Sequence, residues 1–186
     1  LSRDQDPDEA LEPERMKAFV QRHLNAIGER HLSWAPVWSS IYRAGAMTLD
    51  AYRHGRILFA GNSAHAMPIF GVRGLNSGFD DADNLIWKLA SVIHGHASQE
   101  LLDTYSSERL QAFHVNAANA MRSTEFMSPP SRGFDLMREA CLSLAHANPS
   151  LARLINPRQT SAIAYKGSPL CNESDSFATV PEPGAT

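Results

Sequence analysis

The 186-residue chain predicts a helix-rich α/β fold, and three observations carry that prediction. Ile57 to Ala60 is a short apolar run bracketed by Gly55 and Gly61, the pattern of a fully buried strand. A bend follows, with Pro68, Gly71, Gly74 and Gly78, where the backbone is bare and turning. From Phe79 the apolar residues recur at helical spacing through Ala82, Leu85, Ile86, Leu89, Ala90 and Ile93. A glycine-rich loop running into a helix start offers free backbone N–H groups at a positive helix end, a place to hold an anion or an electron-rich ring edge.

The remaining elements follow in chain order. Residues 1–12 are acidic, lack periodicity and contain Pro7, so they read as a loop or frayed end. Pro13 opens a helix carrying Met16, Phe19, Val20, Leu24 and Ile27, with Gly28 as its stop. Leu32 to Ala44 predicts β-structure, with Val37, Ser39 and Ile41 on one side and Trp38, Ser40 and Tyr42 on the other. In the central helix Asp80, Asp81 and Asp83 crowd the expected first turn, where negative charge suits the dipole, and Gly95 follows its end. Ser98 is the expected N-cap of a long helix from Gln99 to Met127, ended by Pro129-Pro130. A further helix after Gly133 places Phe134, Met137, Cys141, Leu144 and Ala145 on one face and closes at Asn148-Pro149, before a short helical turn from Ser150 to Ile155. From Tyr165 the chain turns polar and breaker-rich and reads as a linker.

Composition narrows the function. A net charge of −3 argues against nucleic acid or an anionic membrane as partner. No apolar stretch approaches the roughly 18 residues of a membrane span, and the polar N-terminus shows no signal peptide. Cys141 and Cys171 are unpatterned, which suggests buried free thiols in a reducing, cytoplasmic setting. Gly-x-Gly-x-x-Gly and Gly-Lys-Ser/Thr are both absent, so neither common phosphate loop is present. Gly61-Asn62-Ser63-Ala64-His65 superficially resembles a hydrolase nucleophile elbow, but His65 stands where the elbow needs glycine, and Pro68 follows. A fluorogenic ester with Ser63→Ala as control separates the two readings. His65 is either an acid–base group or a histidine that fixes the loop. Arg56 and Arg109 either touch a cofactor phosphate or form salt bridges. No cysteine or carboxylate cluster joins His94 and His96, so no metal site and no catalytic side chain is assigned.

In order and spacing, Gly55-Arg56, Gly61, Ala64-His65, Pro68, Gly74-Leu75-Asn76, Asp81-Ala82, Asn84-Leu85 and Trp87-Lys88-Leu89 match a known pattern. The stretch resembles the second flavin-binding motif of the class A, para-hydroxybenzoate hydroxylase-like aromatic hydroxylases. Leu101-Leu102-Asp103-Thr104-Tyr105 with Glu108-Arg109 continues the likeness. Three residues depart from it: Asn62 replaces the family's Asp, Ile69 its second proline and Arg73 its usual Gln. Asn62 keeps an acceptor oxygen toward the ribityl chain but loses the charge.

The resemblance implies a partial FAD/NAD(P)-binding fold, α/β and helix-rich, lacking the N-terminal dinucleotide-binding unit. It divides the chain into the end of a substrate domain (1–50), the second flavin motif (51–98), C-terminal helices of the FAD domain (99–164) and a linker toward a further domain (165–186). It implies FAD as cofactor, NAD(P)H and dioxygen as co-substrates, and hydroxylation of a small phenolic or other aromatic substrate. The partners implied are the missing N-terminal half of the same enzyme and, in addition, a possible second copy of the chain; a non-catalytic fragment is the alternative. The cofactor residues implied are Arg56, Gly61, Asn62, Pro68, Gly71, Gly74, Leu75, Asn76 and Ser77, with the amides of Gly74 to Ser77 along the N1–C2=O edge of the flavin. Trp38 and Tyr42 either face the substrate or belong to the core.

Overall fold

The computed structural model describes residues 6–42, 45–155 and 163–171. The chain divides into two compact units, residues 1–43 and 44–186.

In the first unit an Asp-Pro pair turns the expected loop into one helical turn. Asp6 caps α1 (Pro7–Ala10), its carboxylate accepting from the Asp8 amide at 2.9 Å. Proline again opens the next helix, α2 (Pro13–Ala26), and Gly28 follows with a left-handed φ of 85°. The β-structure expected over 32–44 does not form among the described residues: 32–42 is irregular, with Trp38 and Tyr42 81% and 71% exposed. β-propensity alone cannot hold a strand whose N–H and C=O groups lack a neighbouring strand, and Pro36 removes one donor.

The second unit begins with two short antiparallel pairs. β1 (Met47–Thr48) pairs with β4 (His65–Ala66), and β2 (Arg53–His54) pairs with β3 (Ile57–Leu58). Gly55, at φ 63°, turns the chain back on itself, so Ile57 pairs with His54 at a hairpin edge. The expected fully buried strand is therefore two residues long, and its Ile57 is exposed. Tyr52, Ala64 and Tyr105 form the core beside it, packed by Leu49, Leu58, Phe59, Leu85 and Leu110.

Three helices follow: α3 (Arg73–Ile93), α4 (Leu101–Met127) and α5 (Arg132–Ala147), then a 3-10 turn (Pro149–Ile155). The long helix begins at Leu101 with Glu100 at its N-cap, so Ser98 does not cap it; Ser98 instead supplies the carbonyl of the preceding turn. α3 begins at Arg73 rather than Phe79, which leaves its three aspartates beyond the first turn. Gly74 and Gly78 lie inside the helix and face the preceding loop, where a Cβ would meet only ordinary contacts. A Cβ on Gly78 would stand 3.5 Å from Gly61 Cα, and one on Gly74 would stand 3.8 Å from Met67 Cβ.

α3 turns a largely polar stripe inward, with Leu85 packing into the core beside it. Its buried residues are Arg73, Ser77, Asp81, Asn84 and Lys88, whereas Leu75, Phe79, Ile86 and Ile93 are exposed. Hydrophobic periodicity finds the apolar stripe correctly but not which stripe meets α4.

Residues 163–171 correct the linker expectation as far as they reach. Ile163 and Tyr165 pack on Ala112 of α4 with Cys171 beside them, and Ser168 is buried. The rest of the predicted linker lies outside the described residues.

Candidate functional site

The polar stripe of α3 has matching groups on α4. Asp81, fully buried, accepts from Arg109 Nε at 2.7 Å, from His65 Nε2 at 2.7 Å and from the Gly61 amide at 2.8 Å. Burial works to raise its carboxyl, but the bonds from His65, Arg109 and Gly61 outweigh that and hold it below the usual carboxylate range. Arg109 also donates to the Tyr165 hydroxyl at 2.8 Å and to the Ser77 carbonyl at 3.2 Å. The residue before Arg109, Glu108, accepts from Lys88, from Asn84 and from Ser168. Burial opposes the Glu108 charge, yet Lys88 and its other donors keep the carboxyl below its ordinary value. Two ion pairs thus fix the register of α3 on α4, and Asp81 fixes the start of the loop.

That loop carries most of the candidate cofactor residues. Gly61, with φ 56°, opens a 3-10 turn (Gly61–Ser63) in which Asn62 is exposed. Pro68 is buried, so it shapes the bend rather than presenting a free ring face. Gly71 and Val72 are both left-handed, at φ 96° and 52°, a costly conformation for a β-branched residue. Gly74 and Leu75 occupy the first turn of α3, where a helix supplies its own amides with no acceptor. The amides of Asn76 and Ser77, also expected to be free, fall where the helix does supply acceptors. The Asn76 side chain bonds the Val72 carbonyl at 3.1 Å, and the buried Ser77 hydroxyl accepts from Asn116 at 3.2 Å.

Gly61 and Asn62 thus lie in the 3-10 turn, Pro68 and Gly71 in the loop after β4, and Gly74, Leu75, Asn76 and Ser77 at the start of α3, while Arg56 is exposed in the β2–β3 turn. Trp38 and Tyr42 lie in the first unit. Arg73 is 4% exposed, and its Nη1 donates to Asn116 Oδ1 at 2.7 Å; its Nε and Nη2 have no partner. Burial pushes this guanidinium down from its ordinary value. The first-turn amides of α3, at a positive helix end beside this buried cation, suit a group with an anionic or electron-rich edge.

The hydrolase constellation is not assembled. Ser63 Oγ is engaged by Ala60, and the His65 nitrogen that bonds a carboxylate is buried with Asp81. His65 instead fixes the loop. The rings of His94 and His96 stack with centroids 5.9 Å apart, and no metal-binding group of three side chains occurs among the described residues. None of the described helices is long and apolar enough to cross a membrane. By sequence Asp81 reads as a helix-start charge and Lys88 and Glu108 only as motif residues, although the spacing Arg73, Ser77, Asp81, Asn84, Lys88 is itself a helical stripe.

Comparison with known proteins identifies the family. Residues 1–120 match the profile of the FAD binding domain family. The chain is 35% identical over 149 residues to a 3-(3-hydroxy-phenyl)propionate/3-hydroxycinnamic acid hydroxylase of Mycolicibacterium gilvum, covering 80% of this chain and 26% of that protein. The chain thus spans about a quarter of the length of the first curated relatives it matches. Among solved structures, an aklavinone-11 hydroxylase complexed with FAD and aklavinone matches with a TM-score of 0.55 at 32% identity, over 68% of this chain and 24% of that one. The p-nitrophenol 4-monooxygenase of Pseudomonas putida DLL-E4 matches with a TM-score of 0.55 at 28% identity, over 75% of this chain and 38% of that one.

Proposed function

The chain belongs to the FAD binding domain family, and from that premise we propose that it forms one wall of the flavin site of an FAD-dependent aromatic monooxygenase. The observation that carries this reading is the bend itself: two left-handed residues deliver the amides of Gly74 and Leu75 to the positive end of a 21-residue helix.

In this reading the two amides hold the N1–C2=O edge of FAD, Asn62 accepts from the ribityl chain, and Gly61 and Gly71 let the backbone come close. Asp81 keeps the bend in place through Gly61 and His65. When bound, FAD supplies the oxygen-transfer chemistry, drawing electrons from NAD(P)H and oxygen from O2. The substrate is a phenolic or other electron-rich aromatic, with Trp38 and Tyr42 as candidate contacts from the 1–50 segment. Residues 51–98 and 99–164 serve as the second flavin motif and its helical support. The ADP half of FAD falls to an N-terminal dinucleotide-binding part of the same enzyme, so this chain holds flavin only together with that part.

The test compares Leu75→Pro with Leu75→Ala in the whole enzyme. Both remove an exposed side chain, but only proline removes the amide, at a position where the helix tolerates it. Loss of one preorganised donor costs about 3 kcal/mol, or roughly a hundredfold in flavin reduction rate, for the proline variant alone. Equal flavin binding and reduction in both variants refutes the backbone assignment.

A further inference from the structure

Arg73 is placed against ordinary electrostatic preference. It occupies the first position of α3, the helix end that repels cations. Its side chain is buried, its one described hydrogen-bond partner is the neutral Asn116, and no carboxylate among the described residues lies within ion-pairing distance. The guanidinium folds back over the bend, so that a Cβ on Gly71 would stand 3.2 Å from its Nε. Buried charges are ordinarily paired, and the other buried cations here, Arg109 and Lys88, are paired with Asp81 and Glu108. Arg73 is thus a buried positive charge at the start of α3, close to Gly71 and with no counter-ion among the described residues.

We propose that Arg73 makes the α3 N-terminal site selective for the anionic, reduced form of the flavin, raising its reduction potential without touching it; the inference rests on the flavin-edge reading above. Hydride transfer from a reduced nicotinamide brings two electrons and one proton to a neutral ring, and so leaves it with one negative charge. A buried unit charge acts on that new charge and hardly at all on the neutral oxidised ring. The Gln of the resembled pattern supplies no such charge, so Arg73 is a tuning residue. It acts through the field and is not a catalytic residue.

The experiment measures the flavin midpoint potential and the oxidised-FAD Kd in the whole FAD-loaded enzyme, for wild type, Arg73→Gln, Arg73→Lys and Asn116→Asp. A unit charge acting over roughly 10 Å at an effective dielectric near 20 changes the preference for reduced over oxidised flavin about tenfold. For a two-electron couple that is a fall of about 30 mV. Arg73→Gln is expected to show this fall with oxidised-FAD affinity nearly unchanged, and Arg73→Lys to retain the wild-type potential. Asn116→Asp leaves Arg73 in place but supplies the missing counter-charge, so the same fall is expected even if Arg73→Gln misfolds. An unchanged potential in Asn116→Asp, or a loss of oxidised-FAD binding equal to that of reduced, overturns the role of Arg73 while leaving the flavin-edge reading standing. Absence of bound flavin in the wild-type enzyme overturns both.

Discussion

Replacing Asp81 with Asn tests whether the buried network, rather than apolar packing, holds α3 on α4. Asparagine keeps the volume but turns one acceptor into a donor and leaves Arg109 without its buried counter-ion. Removing one member of a buried ion pair costs about 3–5 kcal/mol. Asp80, half-exposed and 3.6 Å from Arg109 Nη2, offers partial replacement, which favours the lower end, about 3 kcal/mol. Against a domain stability of about 5–15 kcal/mol this is a large fraction. With a urea slope of about 1–3 kcal/mol/M, the midpoint falls by 1 M or more. Asp80→Asn, which removes an exposed partner, changes stability by less than about 1 kcal/mol. Acid titration adds an independent signature. Because the Asp81 carboxyl is held low in the folded chain, its contribution is complete above the unfolded value near 4 and is lost as pH falls through the lower folded value. The acid limb of Asp81→Asn is therefore shallower, with Glu108, also held low, supplying the remaining slope. A urea midpoint for Asp81→Asn equal to that of Asp80→Asn would refute this reasoning.

Two further substitutions probe the bend and the returning segment. Val72→Gly relieves a left-handed β-branched residue, worth about 1–2 kcal/mol, against an unfolded-state cost of about 0.5–1 kcal/mol. Since Val72 is exposed and gives up little burial, the thermal midpoint should rise slightly, and a fall would show that the bend is not strained. Tyr165→Phe strips one acceptor from the buried Arg109 and costs about 1–3 kcal/mol. Hydrogen exchange over 163–171 should accelerate, and unchanged exchange would show that Arg109 does not pin the segment.

The sequence made the helices legible where proline and glycine punctuate them: Pro13 and Gly28 bound α2, and Pro129-Pro130 follows α4 within three residues. The bend before α3 was legible through Pro68 and Gly71. What sequence pattern missed has a common cause, namely partners distant along the chain. Asp81 looks like a helix-start charge until α4 brings Arg109 to it, and Tyr165 looks like linker until the same guanidinium reaches it. The glycines of α3 suggested a loop, yet Gly74 and Gly78 sit in regular helix against Met67 and Gly61. Trp38 and Tyr42 carried strand propensity into a stretch with no ladder to join.

The polar inward stripe of α3 has a practical outcome. Its polar side chains are used inward, so the flank of Leu75, Phe79, Ile86 and Ile93 is left oily toward water. Handling this polypeptide by itself becomes a colloidal matter: sulfate and warmth make such a flank stickier, while the ion pairs that fix the helix on its other side are sealed from added salt. Clarity of the solution and integrity of the fold are thus governed by opposite sides of one helix.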